Sequence, residues 1–432
     1  LQHRQNAADV QRRVHHLHPA DLAFVLEALP RRDRLTLWRD IDDAHAAEAL
    51  VEIDQAVREG LLAATPHARQ VAILAHLDVD DLAWLSESLA PDVLRQVTRS
   101  LDELEQTLLR QTTGYAEGSV GHLMSHEVVA VQEAHTASEV IADLRQRASL
   151  PPHADPVFVV DRRNVLRGAV SLQALLLSPP DVPVAAVMDP GVRAFAPDDP
   201  ATLAARAFDR YNLVSAPVTT ERGKLVGRLT VDAIIDFVQE AADRDALSMA
   251  GLRGAEDLFA PMWRSTRNRT PWLFVNLVTA FAATRFIGLF ESTISGLVAL
   301  ATLMPIVASI GGNTGNQTVA LVIRGLAFDQ INDGNIRRVL RKELLIGLMN
   351  GVLWGGLVGL AALALYGRPR LSVVLAAAVL LNLGVAAIAG VAVPVWLQRL
   401  GRDPAQGSSV LLTFVTDSMG FFLFLGLAHL LL

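Results

Sequence analysis

The 432-residue sequence contains no cysteine, which excludes disulfide staples, thiolate metal sites and cysteine nucleophiles together. It also lacks the Gly-x-x-x-x-Gly-Lys-Ser/Thr loop that cradles nucleotide phosphates in ATPases. Charge is scarce in the last 162 residues, which hold 10 Arg or Lys and 6 Asp or Glu, against 28 and 39 in the first 270. The two parts stand at +4 and −11, so a single water-soluble globule is excluded. The acidity of the first part argues against a nucleic-acid partner. The chain opens at Leu1 on the polar run Gln2, His3, Arg4, where no signal-peptide pattern is expected, and a start without Met reads as a trimmed end.

What the last part does have is apolar length. Stretches at about 272–290, 293–312, 344–366, 371–397 and 408–432 can each cross about 30 Å of hydrocarbon at 1.5 Å per residue, which predicts five spans. Arg264, Arg267 and Arg269 precede the first span, and Arg324, Arg337, Arg338, Arg341 and Lys342 separate the second from the third. By the positive-inside rule the N-terminus is cytoplasmic, and an odd span count leaves the C-terminus outside.

The polar exceptions within these stretches carry the functional signal. Asp417 lies at membrane depth, where a carboxylate costs about 2.5–3.5 kcal/mol on insertion scales and normally faces a cavity or a packed interior. Ser409, Thr413, Thr416, Asp417 and Gly420 recur at three- and four-residue spacing, which predicts one polar stripe lining a path. A structural carboxyl hydrogen-bonded between helices is the competing reading. Pro305 and the run Gly311, Gly312, Asn313, Thr314, Gly315, Asn316, Gln317 read as the end of the second span, where bare backbone and amide oxygens could hold a cation's water shell or merely cap and pack a helix.

The soluble part is repetitive. Gly121–Ser125 answers Ala185–Asp189, Pro156–Val159 answers Pro217–Thr220, and Gly168–Ser171 answers Gly227–Thr230. Each copy reads as strand, helix, two strands joined by a polar turn, and helix. Before them, Asp21–Phe24 with Glu27 and Leu29 matches Asp81–Trp84 with Glu87 and Leu89, predicting a solenoid of short helices in which the Asp residues serve as plain N-caps. After them, Asp232, Asp236, Glu240, Asp243 and Asp245 recur so that most share one helix face, either solvated or relieved by a divalent cation. His126 and Glu127 begin a zincin-like motif, but Ala130 stands where its second His would be.

The repeat resembles a pair of cystathionine-β-synthase-type (CBS) domains, which implies a regulatory α/β module. Ala174 and Ala233 stand where ribose-holding members place an acidic or amide residue, so the nucleotide-binding residues are left unknown. The order of helical solenoid (1–118), CBS pair (119–240), connecting plug helix (241–270) and five-span all-α domain (271–432) resembles the MgtE family of magnesium channels. The shared motifs are Gly311–Gln317 and Thr416–Phe421. That resemblance implies a homodimer in the inner membrane of a bacterium, with Asp417 of each copy gripping hydrated Mg²⁺. It places Ser409, Thr413, Thr416, Gly420, Gly312, Asn313 and Asn316 along the path. It also implies closure by cytoplasmic Mg²⁺ on Glu48, Asp80, Asp232, Asp236, Glu240 and Asp245. Trp84, Ala233, Ala241 and Arg244 stand where the family often has carboxylates, which predicts fewer or weaker sensor sites. A carrier of Mn²⁺ or Co²⁺ with a nucleotide-regulated CBS pair is the alternative, since first-row ions bind the same oxygen ligands. A scaffold without transport is the other.

Overall fold

A computed structural model of the chain describes residues 16–147, 149–252, 257–327 and 330–432. The opening residues 1–4, read above for targeting, lie outside them. The chain divides into two compact units: Leu1–Asp243 with Asp257–Phe259, and Arg244–Glu256 with Ala260–Leu432.

The first unit begins with short helices from Pro19–Ala28 to Glu103–Thr112. Their ends are set locally. Pro19 and Pro91 start helices at the turn where a missing N–H goes unnoticed, and the Asp42, Asp78 and Asp102 carboxylates accept the orphan N–H groups of His45, Asp81 and Glu105. The expected solenoid is present: the first helix packs on the third, Asp43–Glu52, which packs on the fifth, His67–Leu74. Leu22, Leu26, Leu50, Ile73, Leu74 and Leu82 form its core. Trp38 is buried among them because its indole N–H donates to Thr65 Oγ1 at 2.8 Å.

The tandem repeat follows. In the first copy β1 (Ala130–Gln132) pairs parallel with β2 (Val157–Val160), which pairs antiparallel with β3 (Leu166–Val170). In the second, β4 (Ser215–Thr219) pairs antiparallel with β5 (Leu225–Thr230), and the strand matching β1 is reduced to one bridge, Phe195 to Val218. The copies exchange backbone: Asp189 bridges to Ala169 of the first copy, and Ser125 to Arg228 of the second. This accounts for the repeated glycines. A Cβ on Gly168 would sit 2.5 Å from the Asp189 carbonyl oxygen, and one on Gly227 2.9 Å from that of Ser125.

The linking helix Val231–Met249 runs out of the repeat. The stretch 241–270 is therefore not one helix: it holds the end of this helix and the start of the next, Met262–Gly288, with Pro261 as N-cap. In the second unit the long helices are Met262–Gly288, Ala299–Ala327, Ile336–Tyr366, Pro369–Arg399 and Ser408–Leu431. Four are long and apolar enough to cross a membrane, and the 29-residue helix Ala299–Ala327 qualifies by length alone. The Gly311–Gln317 run, expected at a helix end, lies inside that helix instead. Backbone in hydrocarbon has no water to bond, so a helix that ended there would leave polar groups unsatisfied. The helix Ile336–Tyr366 buries Gly347, Gly351, Gly355 and Gly359 against Pro369–Arg399, where Cβ atoms on Gly347 and Gly355 would meet the Leu383 and Ala376 carbonyls at 2.9 and 2.7 Å. Small residues every fourth position let two helices in lipid approach to backbone contact. Leu345, Met349, Val352, Leu353 and Leu360 on its other side are exposed, as a lipid-facing surface requires.

Candidate ion site and acidic sensor

The two sequence motifs meet on antiparallel helices. Ser409 Oγ, at the start of Ser408–Leu431, donates to Asn316 Oδ1 at 3.1 Å on Ala299–Ala327. One turn on, Gly315 abuts Leu412, and a Cβ on Gly312 would lie 3.8 Å from Thr416 Oγ1. At the far end Thr293 Oγ1 lies 3.0 Å from His429 Nδ1. Ser409, Thr413 and Asp417 fall at four-residue spacing, so Asp417 stands two turns, about 12 Å, along from the Ser409–Asn316 bond.

The stripe expected on the last helix divides in two. Thr413 is exposed and Asp417 and Ser409 are partly buried, whereas Thr416 is buried with its hydroxyl donating to the Leu412 and Thr413 carbonyls. Gly420 is likewise buried, packed against Asn382. On the facing helix Asn313 and Gln317 are exposed and Gly312 and Asn316 partly so. Asp417 forms no hydrogen bond or ion pair among the described residues. The result is a seam with an amide and hydroxyl floor and one carboxylate, open along one side. Where it starts, a cavity of about 170 Å³ is lined by Met249, Asn316, Val319, Ile323, Ala405 and Ser409, so the last residue of the linking helix covers the Ser409–Asn316 end.

The acidic residues expected as a sensor fall into separate groups. Asp80 is gripped by His126, whose N–H donates to Oδ2 at 2.9 Å while Nδ1 lies 2.6 Å from Oδ1. His126 thus ties solenoid to repeat, while the Glu127 carbonyl accepts from Arg228 Nε at 2.7 Å within the repeat. Asp232 pairs with His153 Nε2 at 2.6 Å. Asp236, exposed on the same helix, has its pKa pushed up to about 6 by partial desolvation and then by Glu52, Asp232 and Glu240. Asp245 is raised by burial and by Asp403. Glu48 is exposed, 3.5 Å from His45. No group of three such ligands closes to metal-holding distance among the described residues. Asp81, read like Asp21 as an N-cap, lies instead in the first turn of the helix Val79–Leu85, whose N-cap is Asp78. Burial, followed by the charges of Asp78, Asp80, Glu52 and Glu127, pushes Asp81 up to about 7. Trp84 lies 4.1 Å beneath the buried Arg58 guanidinium, so a fixed cation occupies this part of the sensor face.

Long apolar helices, a polar seam with one carboxylate and a tandem α/β repeat define a polytopic membrane protein of the ion-transport class. Family models agree in order along the chain: the intracellular N domain of MgtE matches residues 17–118, the CBS domain 184–240, and the divalent cation transporter model 304–427. The magnesium transporter MgtE of Thermus thermophilus is 31% identical, covering 95% of both chains, and that of Bacillus subtilis is 27% identical, covering 96% of this chain and 92% of the relative. The chain belongs to the MgtE family of magnesium transporters. A solved cytosolic domain of the Mg²⁺ channel MgtE in complex with ATP is 30% identical and aligns with 55% of this chain and 98% of its own, at a TM-score of 0.49.

Proposed function

We propose that the chain conducts hydrated Mg²⁺ into the cytoplasm, down its electrochemical gradient, through a path built by two copies around the Asp417 seam. The observation that carries this is the unpartnered carboxylate of Asp417 on a face shared with exposed Thr413, Asn313 and Gln317 in otherwise apolar helices. Lipid cannot solvate such a face. A second copy related by a twofold axis covers it with an identical face and doubles the charge. Mg²⁺ keeps most of its water and prefers one or two carboxylates, so two Asp417 side chains bridged by hydration water suit it, while Ser409, Thr413, Asn313 and Asn316 accept or donate to that water. A divalent ion crossing 100 mV of inside-negative potential gains about 4.6 kcal/mol, so no nucleotide hydrolysis is required. The basic residues flanking the spans orient the N-terminus to the cytoplasm of a bacterial inner membrane.

The same reading makes Met249 the gate and the acidic residues its sensor. Cytoplasmic Mg²⁺ at Asp80, Asp232, Asp236 and Glu240, with Glu48 and Asp245 as further ligands, relieves like-charge repulsion and fixes the linking helix with Met249 over the seam. The ion has to draw Asp80 from His126 and Asp232 from His153, which weakens its hold. A cavity of about 730 Å³ between the repeat's copies, lined by Asp155, Ser171, Arg193 and Tyr211 among others, is where an adenine nucleotide would bind. Arg193 stacked on Tyr211 could clasp the base, but Ala174 offers the ribose no oxygen.

The test is Mg²⁺ uptake into proteoliposomes. Asp417→Asn, which keeps shape and removes charge, lowers the rate at least about a hundredfold, the scale of losing a principal electrostatic ligand. Parent-like uptake by this variant overturns the reading.

A further inference from the structure

Asn382 lies in the helix Pro369–Arg399, which carries none of the motif residues, and is completely buried. Its Nδ2 donates to the Val307 carbonyl of Ala299–Ala327 at 2.9 Å, and its Oδ1 has no hydrogen-bond partner within the described structure. The carbonyl fixes which way the amide points, because the reversed amide would set two oxygens together. Two glycines close around it. A Cβ on Gly311 would lie 2.2 Å from Nδ2, and one on Gly420, in the last helix, 2.8 Å from the same atom. Such separations do not occur between non-bonded atoms, so both helices are glycine at the points where they touch this amide.

We infer that Asn382 is a positioning residue for ion passage, a wedge that sets the axial register between the two motif helices and thereby the placement of Asp417. Gly420 is three residues, just under one turn, beyond Asp417; Gly311 adjoins Gly312 and precedes Asn313 and Asn316. One side chain thus sets both walls of the seam from behind. The orphaned Oδ1 supports function over stability. An aliphatic group would fill an apolar bundle without leaving a buried acceptor unsatisfied, so the amide's retention points to the geometry it imposes. Ser418 Oγ, next to Asp417, is also buried without a partner. Two unsatisfied buried polar atoms, one on a residue packed against Gly420 and one on the residue next to Asp417, mark a segment where geometry outweighs packing.

The inference rests on the pore reading above, and the experiment separates the two. Asn382→Ala, Gly420→Ala and the double variant are reconstituted in proteoliposomes alongside Asp417→Asn. Maximal Mg²⁺ uptake rate, apparent KM, Co²⁺ competition and thermal midpoint are measured for each. Gly420→Ala, whose methyl collides with the amide, is expected to lose at least about tenfold in maximal rate, and the double variant to return to within about threefold of Asn382→Ala, the non-additivity of residues in contact. Asn382→Ala is expected to shift the Mg²⁺ to Co²⁺ preference at least about threefold at a thermal midpoint within a few degrees of the parent, which a purely structural role would not do. A double variant no better than Gly420→Ala overturns the wedge, as does an Asn382→Ala protein matching the parent in rate, KM and preference. Retained uptake by Asp417→Asn overturns the pore reading itself.

Discussion

Acidification should weaken the proposed Mg²⁺ lock, and the size of the effect follows from two carboxyls. In the ion-free fold Asp81 is held up at about 7 and Asp236 at about 6, both above the ordinary 3.8. The sign is fixed by linkage. Acids with raised folded pKa bind more protons folded than unfolded, so their protonated forms stabilise the ion-free fold at low pH, and that contribution is lost as pH rises through about 6 to 7. A divalent ion held by Asp236, and by Asp80 beside Asp81, favours the ionised forms of Asp81 and Asp236, so protons compete with it. Between pH 7.5 and 5.5, the factor 1 + 10^(pKa − pH) for Asp81 grows about 25-fold, and Asp236, more open to water, adds at most about fourfold. The Mg²⁺ concentration that half-protects residues 232–270 of the full-length protein from proteolysis should therefore rise about 25- to 100-fold across that range. Asp81→Asn removes the larger factor and should leave a rise of about fourfold. A midpoint independent of pH, or a rise as large in Asp81→Asn as in the parent, refutes the reasoning.

Two further outcomes test the soluble unit by thermal unfolding. Gly168→Ala drives a methyl against the Asp189 carbonyl and should destabilise by about 1–3 kcal/mol, whereas Gly60→Ala, mid-helix with nothing within 4 Å, should stabilise by about 0.5–1 kcal/mol. Arg34, buried and donating from Nε to the Leu26 carbonyl and from both Nη atoms to Asp257, holds the 257–259 segment against the solenoid. Arg34→Met, which removes the cation paired with that largely buried carboxylate, should lose about 3–5 kcal/mol, with much of the loss recovered in Arg34→Met/Asp257→Leu.

Architecture was legible because periodicity and tandem repetition are local signals. The matched Gly168 and Gly227 marked the points where the copies exchange backbone, although their steric reason needed coordinates. The 311–317 run was misplaced at a helix end because glycine and amides read as breakers in water, whereas lipid forbids an open backbone and neighbouring side chains fill the space the glycines leave. The Gly347 to Gly359 row was visible at four-residue spacing but hidden among apolar residues. Asp81 and Asn382 were beyond sequence reasoning for one shared cause: their roles come from what surrounds them. Asp81 gains its raised pKa from carboxylates as distant in sequence as Glu52 and Glu127, and Asn382 its contacts from helices more than thirty residues away on either side.

The antiparallel register of the two motif helices bears on why the path should need two copies. With Ser409 bonded to Asn316 and Gly420 turned onto Asn382, the last helix has used one side of its stripe to bind its own chain. That leaves Thr413, exposed, and Asp417, partly buried, on the other side. One carboxylate facing outward cannot balance a divalent charge, and the chain offers Asp417 no second acid among the described residues. In the proposed dimer a twofold axis would supply one at the same depth without altering the sequence, since every residue of an isologous face is repeated across it. Moving the carboxylate one turn, as in Asp417→Ser with Thr413→Asp, would keep the symmetry and the charge but shift the pair about 6 Å toward Met249. If symmetry and charge alone set conduction, this variant transports as the parent does. If the depth fixed by Asn382 matters as well, uptake in the paired variant falls to the level of Asp417→Asn.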